Sequence, residues 1–432
     1  MSDALFPGAD ERAKSDEKAP QMKGAPRIVR ADRRQVLLRP TDLESLLPAD
    51  HRARGVWAFC ERLDLSRFYD AIAAVEGGGG RPAIDPRVLL CLWIYATAEG
   101  VGSARQLARL CEEHAAYQWI CGGITPNHHA LSDFRVEHEE AVDELLTQSV
   151  ALLVAEGLVT MERVAQDGIK VRAAAGTASF RRKGRLVKLR EEAAEQVRRL
   201  KDEIDDDPGA GERRRRSATE RAAKDREERV TRALKQWQWA ADGRSDGDTS
   251  KVRVSTTDPE ARVMKMGDGG YRPAFNGQWV CDTKSQVVLG VGITQAGNDY
   301  QQLEPMLDQL EARYGRRPRE ALVDAGFMSV NSMEGAEERG VTLLAPIPVH
   351  RTKPQSPAHA RWIKRMASKR GRKIYRERAA TIECVNAQAR NRGLLRLLVR
   401  GLRKVRAVAL WYAIAHNVRR GLCLRGLLPT AG

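Results

Sequence analysis

The alternation of strand-like and helix-like segments in the second half of the chain constrains its fold most. Residues 275–281 and 287–293 have the composition of strands, and the polar turn at 282–285 between them predicts a β-hairpin. A helix over 301–313 and a strand over 320–324 are predicted next. This order is typical of an α/β sheet with helices packed on it. The remaining predicted elements are a helix that Asn331 caps and that ends near Gly340, a strand over 342–347, and helices over 358–370, 375–392 and 405–422.

The first half of the chain has a helical pattern. Pro86 follows Asp85 at a predicted helix start, and Ser103 caps a second short helix after a glycine-rich break at 100–102. Two short helices joined by such a turn are compatible with a DNA-reading helix-turn-helix unit and also with an ordinary helical hairpin. The sequence leaves these alternatives open.

A charged segment separates the first predicted strand, at 159–171, from the later ones. Over residues 186–204, apolar side chains recur at three- and four-residue steps, as along a coiled-coil seam. An acidic Pro-Gly break at 205–209 precedes a second helical arm, so we predict an antiparallel helical hairpin over about 186–240. The arginine run at 213–216 near its tip is compatible with a solvated helix start and with phosphate contact.

Composition limits the partners and the compartment. With 73 Lys and Arg against 57 Asp and Glu, the formal net charge is +16, which favours a polyanionic partner. The 7 cysteines are scattered without a Cys-x-x-Cys pair, as expected for free thiols of a cytosolic protein. No apolar run approaches the roughly 20 residues of a membrane span, and the polar N-terminus is not a secretory signal. We therefore expect a cytoplasmic protein without a membrane partner.

Three carboxylates stand in distinctive contexts. Asp167 and Asp324 each end a strand-like run, and Glu383 lies in the Arg-rich predicted helix. Two strand-end aspartates and a helical glutamate can converge on hard divalent cations, which prefer carboxylate oxygens. A pair of such ions can stabilise both the attacking and the leaving oxygen of a phosphoryl transfer. In a strongly basic chain this set predicts cutting and joining of DNA, although each carboxylate taken alone could be a surface ion-pair partner.

Six short motifs follow one another along the chain. They are QDGIKVRA (166–173), TDPEARVM (257–264), FNGQ (275–278), GND (297–299), VDAGF (323–327) and RGLRKV (400–405). In this order they resemble the motifs of bacterial insertion-sequence transposases of the DDE type. The resemblance extends from about Asp85 to the C-terminus without the charged hairpin. It implies an α/β fold with a ribonuclease H-like catalytic core, a mixed sheet with flanking helices, behind an all-helical N-terminal domain.

The family's glutamate helix carries a Tyr, Arg, Glu and Lys pattern. Glu383 fits this glutamate better than the nearby Glu377, because Asn386 lies on the helical face of Glu383. The interval from Arg378 to Glu383 is one residue longer than in the best-known version of the pattern. An arginine at position 390 replaces the lysine. Both side chains are positively charged, but the arginine guanidinium presents its N–H donors to a phosphate in a planar fork, whereas the lysine ammonium acts as a point charge. The best matches to the pattern are Tyr375, Arg378, Glu383 and Arg390.

The resemblance also implies chemistry and partners. Asp167 is implied to bridge two Mg²⁺ ions, which Mn²⁺ can replace, with Asp324 and Glu383 completing one site each. The implied partners are double-stranded DNA, at the terminal inverted repeats and the target, and a second copy in a homodimer on paired ends. Such a protein is nucleoid-associated. Residues expected to contact DNA are Lys369, Arg370, Arg372, Tyr375, Arg378 and Arg390.

Together these patterns predict four segments, with a hairpin inserted in the catalytic core. Residues 1–35 are polar and charged, so we expect a disordered tail. The others are a helical DNA-binding domain over 36–158, a catalytic domain formed by 159–175 and 250–425, and the charged helical hairpin insertion over 176–249.

Two other functional classes stay open. One is a catalytically silent DNA-binding protein derived from a transposase, which the presence of all three carboxylates disfavours. The other is a metal-dependent nuclease without strand transfer, which the sequence does not discriminate, because hydrolysis and transfer share one metal site.

Overall fold

The computed structural model describes residues 42–74, 82–206, 213–244, 247–347 and 353–428, without the side chains of 201–206 and 213–218. The described residues from Leu43 onward belong to one compact unit. The predicted tail at 1–35 and the side chains of the arginine run at 213–216 lie outside the described residues.

The amino-terminal part of the described chain is helical. Its helices are α1 (Arg52–Cys60), α2 (Ser66–Asp70), α3 (Pro86–Ala98), α4 (Ala104–Glu113), α5 (Ala115–Cys121), α6 (His128–Glu137) and α7 (Glu139–Ala155). Asp85 caps α3 through a 2.8 Å hydrogen bond from a first-turn N–H, and Ser103 caps α4, which confirms both predicted starts. The side chains of residues 88–97 are all buried, so α3 is the core helix of this region.

The described residues contain a six-stranded mixed sheet, which confirms the predicted α/β class. Its strands are β1 (Arg163–Arg172), β4 (Arg262–Lys265), β5 (Tyr271–Asp282), β6 (Val288–Thr294), β7 (Glu320–Leu322) and β8 (Thr342–Leu344), whereas β2 (Phe180–Arg181) and β3 (Val254–Ser255) pair separately. β1 pairs antiparallel with β5 and parallel with β7, which pairs parallel with β8. β4 and β6 pair antiparallel with β5 on its other edge.

The two predicted helices of the charged segment are α8 (Lys183–Asp206) and α9 (Arg213–Asp242), and they pack along each other. At their base, Trp237 donates a 3.1 Å hydrogen bond to the Val252 carbonyl and is covered by Lys183, 4.9 Å from the ring centroid. The division of the chain into separate domains stays a prediction. The buried side chains of the seam are Leu186, Ala193, Val197, Ala223, Val230, Ala233 and Trp237.

The carboxyl-terminal helices pack on the sheet. They are α10 (Leu303–Tyr314), α11 (Val330–Glu338), α12 (Pro357–Ala367), α13 (Lys369–Tyr375), α14 (Cys384–Asn391) and α15 (Leu402–Leu424). The predicted cap of α11 is wrong: Ser329 caps this helix, because its hydroxyl and that of Ser332 form a capping box, and Asn331 lies inside the helix. Among the described residues, no helix has the length and apolar character that a membrane crossing requires.

The start of α15 is held by the TDPEARVM motif. Asp258 accepts a 3.2 Å hydrogen bond from Gly401 N, and Glu260 accepts a 2.8 Å bond from Leu402 N. Two carboxylates thus satisfy the free N–H groups of the helix start and favour its dipole. Since α15 packs against α3, α6, α7 and β6, these two bonds fix the element that joins the helical region to the sheet.

The buried His416 of α15 gives the fold a dependence on pH. Its ring Nε2 lies 2.8 Å from the Gln286 carbonyl, and burial lowers its pKa to about 3. The folded state therefore excludes a proton that the unfolded chain takes up below about pH 6.5, so this contribution to stability is complete above pH 6.5 and is lost as the pH falls toward 3. Each pH unit in that window costs about 1.4 kcal/mol.

Replacing His416 should flatten this dependence. Urea unfolding at pH 7.5 and pH 5 should show that His416→Gln, which keeps an N–H donor, loses about 2 kcal/mol less than the wild-type chain between the two pH values. An equal loss in both proteins would contradict the assignment.

Candidate active site

Asp167 lies in the middle of β1, opposite Trp279 of β5, which agrees with the strand predicted over 159–171 but not with the expectation that Asp167 ends a strand. The apolar run ends before Asp167, but pairing with β5 continues to Arg172. Backbone pairing therefore extends the strand through its polar residues. Asp167 itself pairs with β5, whereas the other edge of β1 pairs with β7 over Arg163–Ala165.

Asp324 follows β7, as predicted. Its carboxylate caps a short 3-10 turn and accepts a 2.8 Å hydrogen bond from Gly326 N. Ala165 pairs with Leu322 in the parallel register. Asp167 lies two residues after Ala165, and Asp324 lies two residues after Leu322. Neighbouring strands run about 4.8 Å apart, so the register brings Asp167 and Asp324 to the same end of the β1–β7 pair.

Arg378 connects the strand to the predicted glutamate. Its Nη2 lies 2.9 Å from Asp167 Oδ1, and its Nη1 lies 2.8 Å from Glu383 Oε1. Asn386 donates from Nδ2 to Asp167 Oδ2 at 3.0 Å, so both oxygens of Asp167 have a partner. The Arg378 side chain is 9% exposed, against 54% for Glu383. One buried guanidinium therefore neutralises two of the three predicted carboxylates.

A π-helical turn at Ala379–Glu383 accounts for the additional residue between Arg378 and Glu383. In an α-helix, residues three or four apart are neighbours and residues five apart are not. A π-turn closes its hydrogen bonds over five residues. The turn thus returns Glu383 to the side of Arg378 despite the longer interval.

The competing carboxylate Glu377 points elsewhere. Its Oε2 lies 2.6 Å from Arg163 Nη1 at the start of β1, and Arg163 also pairs with Glu320 at 2.5 Å. The structure thus joins Glu383 to Asp167 through Arg378 and engages Glu377 in a separate ion-pair network.

The environment of Asp167 opposes its ionisation. Burial raises its pKa to about 6, the nearby Arg378 guanidinium counteracts this shift, and the negative charges of Asp324 and Asp299 add to it. Repulsion between close carboxylates is what a bound cation relieves.

The chemistry of the donor set fits a hard divalent cation. Asp167, Asp324 and Glu383 offer carboxylate oxygens, and the buried Asn386 Oδ1 has no hydrogen-bond partner. Across the part of the chain that the structure describes, however, no three His, Cys, Asp or Glu side chains are grouped closely enough to hold a metal ion. Between Asp167 and Glu383 the cationic position is taken by Arg378.

Sequence reasoning missed the role of Asp299, which it noted only as part of the GND motif. Asp299 Oδ1 accepts hydrogen bonds from Asn276 Nδ2 at 2.8 Å and from Gln278 Nε2 at 2.6 Å. A Cβ built on Gly168 would lie 2.8 Å from Asp299 Cγ. The alternation of polar residues along β1 and β5 was the available signal, since alternate residues share a face of a sheet. Asp299 lies over Gly168, on the face opposite to Asp167.

The residues expected to contact DNA differ in exposure. Tyr375 is half-buried beside Arg378, and burial raises its pKa. Arg378 is buried in its ion pairs, and the DNA contact expected of it stays a prediction. The exposed cations are Lys369, Arg370 and Arg372 on α13 and Arg390 on α14.

Two family models match the chain. One described as a transposase domain (DUF772) matches residues 41–137, and one described as a transposase DDE domain matches residues 243–418. The second includes Asp324, Arg378 and Glu383, whereas Asp167 and the α8–α9 hairpin lie between the two matched regions. No curated protein and no solved structure gives a significant match.

The contact of Asp299 with Gly168 predicts a specific sensitivity. Gly168→Ala should lower the free energy of unfolding by about 1–3 kcal/mol, because overpacking a closely packed position forces its neighbours to move. The control is Gly184→Ala in α8, where an added Cβ meets nothing within 4 Å. Urea unfolding of both variants tests this, and a Gly168→Ala protein as stable as the wild-type chain would refute the close approach.

Proposed function

Because the chain belongs to the insertion-sequence transposases of the DDE type, we propose that it binds the terminal inverted repeats of its element, cleaves the ends and joins the 3′-hydroxyls to target DNA. The observation that supports this most is the convergence of Asp167, Arg378 and Glu383, with Asp324 at the end of the adjacent parallel strand. The matched transposase DDE domain includes three of these four residues.

The sheet is proposed to be a ribonuclease H-like core. Its strand order β6-β5-β1-β7-β8, with β5 antiparallel and β7 parallel to β1, supports this assignment. The helices α1–α7 are proposed to recognise the element ends. Within them, α4 begins with a capped turn and exposes Arg105 and Arg109, the kind of side chain that reads base edges.

Asp167, Asp324 and Glu383 would hold the Mg²⁺ ions, which Mn²⁺ can replace. When bound, the ions supply charge stabilisation at the attacking and leaving oxygens of the phosphodiester. The second copy of a homodimer is proposed to hold the paired end.

The protein's own residues supply positioning and charge. Asn386 fixes the orientation of the Asp167 carboxylate through its 3.0 Å hydrogen bond. Arg378 pairs with the negative charges of Asp167 and Glu383. A cation bound at these carboxylates would free the Arg378 guanidinium to bind a phosphate oxygen, which its forked donor geometry suits. Little covalent chemistry is required of the protein, so accurate positioning dominates.

The two glutamates give a matched test of the site. Glu383→Gln should lower Mg²⁺-dependent cleavage of end DNA by roughly 10³-fold or more, because it removes the charge of a reacting-site group. Glu377→Gln should change it within about fivefold, because its partner is Arg163 and pairs that are partly exposed contribute little.

Cleavage and binding should be measured on the same DNA, with Asp324→Asn as a second site variant. Both site variants should bind the ends nearly as the wild-type chain does. Equal losses for Glu377→Gln and Glu383→Gln would contradict the glutamate assignment. A strand-transfer assay with pre-cut ends separates a transposase from a nuclease without strand transfer.

The exposed cations of α13 should provide phosphate contact without sequence preference. Glutamine at Lys369, Arg370 and Arg372 should weaken binding to every duplex and reduce the slope of log affinity against log salt by up to about 0.9 per lost phosphate contact. The control carries glutamine at three exposed cations elsewhere, Lys188, Arg190 and Lys265. A loss restricted to cognate ends would show that the α13 cations read sequence.

A further inference from the structure

A second basic surface lies away from the carboxylate site, in a groove between the base of the α8–α9 hairpin and the start of α15. Two adjoining cavities of about 400 Å³ and 340 Å³ share Arg229, Thr257 and Arg400 in their walls and form this groove. Its other basic side chains come from three separate parts of the chain. They are Arg181, Arg185, Arg226, Arg232, Lys235 and Lys404.

The charge of the groove is poorly compensated. Arg185 and Arg226 pair with Glu192. Asp258 and Glu260, at the floor, accept hydrogen bonds from the backbone start of α15. Asp258 acts electrostatically on Arg400, but among the described residues no carboxylate forms an ion pair with any of five groove cations. These five are Arg229, Arg232, Lys235, Arg400 and Lys404.

Such an arrangement is unfavourable without a partner, because the like charges repel each other and the fold brings them together from distant segments. The cations from Arg226 to Lys235 recur every three residues of α9, so the row winds around the helix as it advances by about 14 Å, with Arg226 at one cavity and Lys235 at the other. That length matches a short run of phosphates, which follow one another at about 3.4 Å per base pair along each strand.

We propose that this groove binds the phosphate backbone of duplex DNA at a distance from the reacting phosphate. The inference rests on the proposed function. β1 continues five residues beyond Asp167, about 17 Å at its rise per residue, to Arg172. Arg172 is bonded to Leu395 and Leu397, just before Arg400. The groove thus lies beyond this end of β1, and one duplex would reach it several base pairs away from the carboxylates.

The test uses the full-length chain and a fluorescein-labelled 30-bp duplex of random sequence. Arg229→Gln/Arg400→Gln removes two groove cations, and Lys188→Gln/Arg190→Gln removes two exposed cations of α8 that do not line the groove. Both variants have the same net charge, and circular dichroism and thermal unfolding verify that both are folded.

The groove variant should bind on the order of tenfold more weakly at 0.15 M salt, with a salt slope reduced by up to about 1.8, whereas the control should bind as the wild-type chain does. Equal affinities for all three proteins, or equal weakening of both variants, would overturn the groove and leave DNA binding intact. A wild-type chain that binds no duplex would instead overturn the proposed function and the groove with it.

Discussion

The double pairing of β1 is the constraint on which the rest of the molecule depends. β5 holds one edge of this strand in antiparallel register, and β7 holds the other in parallel register. Because β5 pairs with β1 through Asp167 and β7 pairs with it over Arg163–Ala165, the register of β1 cannot shift without disrupting two ladders. The parallel register with β7 then determines the position of Asp324. The helical residues Arg378 and Asn386 both contact the Asp167 carboxylate.

The buried Arg378 explains how carboxylates that repel each other remain together in one fold. The Asp167 side chain is 18% exposed, so it would be left as a poorly solvated carboxylate without this cation, whereas Glu383, at 54% exposed, depends on the pair less. Arg378 balances both charges in the structure. We propose that a divalent ion at these carboxylates would take over this charge balance and free the Arg378 guanidinium for a phosphate oxygen.

The sequence predicted most elements, because helix periodicity, caps and strand composition are local signals. Long-range pairing decided what it missed. Asp167 was expected to end a strand because the apolar run stops there, but β1 continues to Arg172, as the strand predicted over 159–171 also indicated. The assignment of the cap to Asn331 failed because Ser329 and Ser332 form a reciprocal capping box.

The candidate site was only partly readable from sequence for the same reason. The three carboxylates were named from their contexts, and Glu383 was chosen over Glu377. The ion pair of Arg378 with Asp167, the π-turn behind it and the contact of Asp299 with Gly168 depend on packing between distant segments. Single-sequence periodicity contains no information on such packing.

The most direct test is anomalous X-ray diffraction from crystals of the wild-type chain grown with Mn²⁺ and a pre-cut DNA end. The account predicts Mn²⁺ peaks about 2.1 Å from oxygens of Asp167, Asp324 and Glu383, as for Mg²⁺ in octahedral sites, with the Arg378 guanidinium moved from between the carboxylates toward DNA. Ordered DNA with Arg378 still paired to Asp167 and Glu383, and Mn²⁺ bound elsewhere, would contradict it.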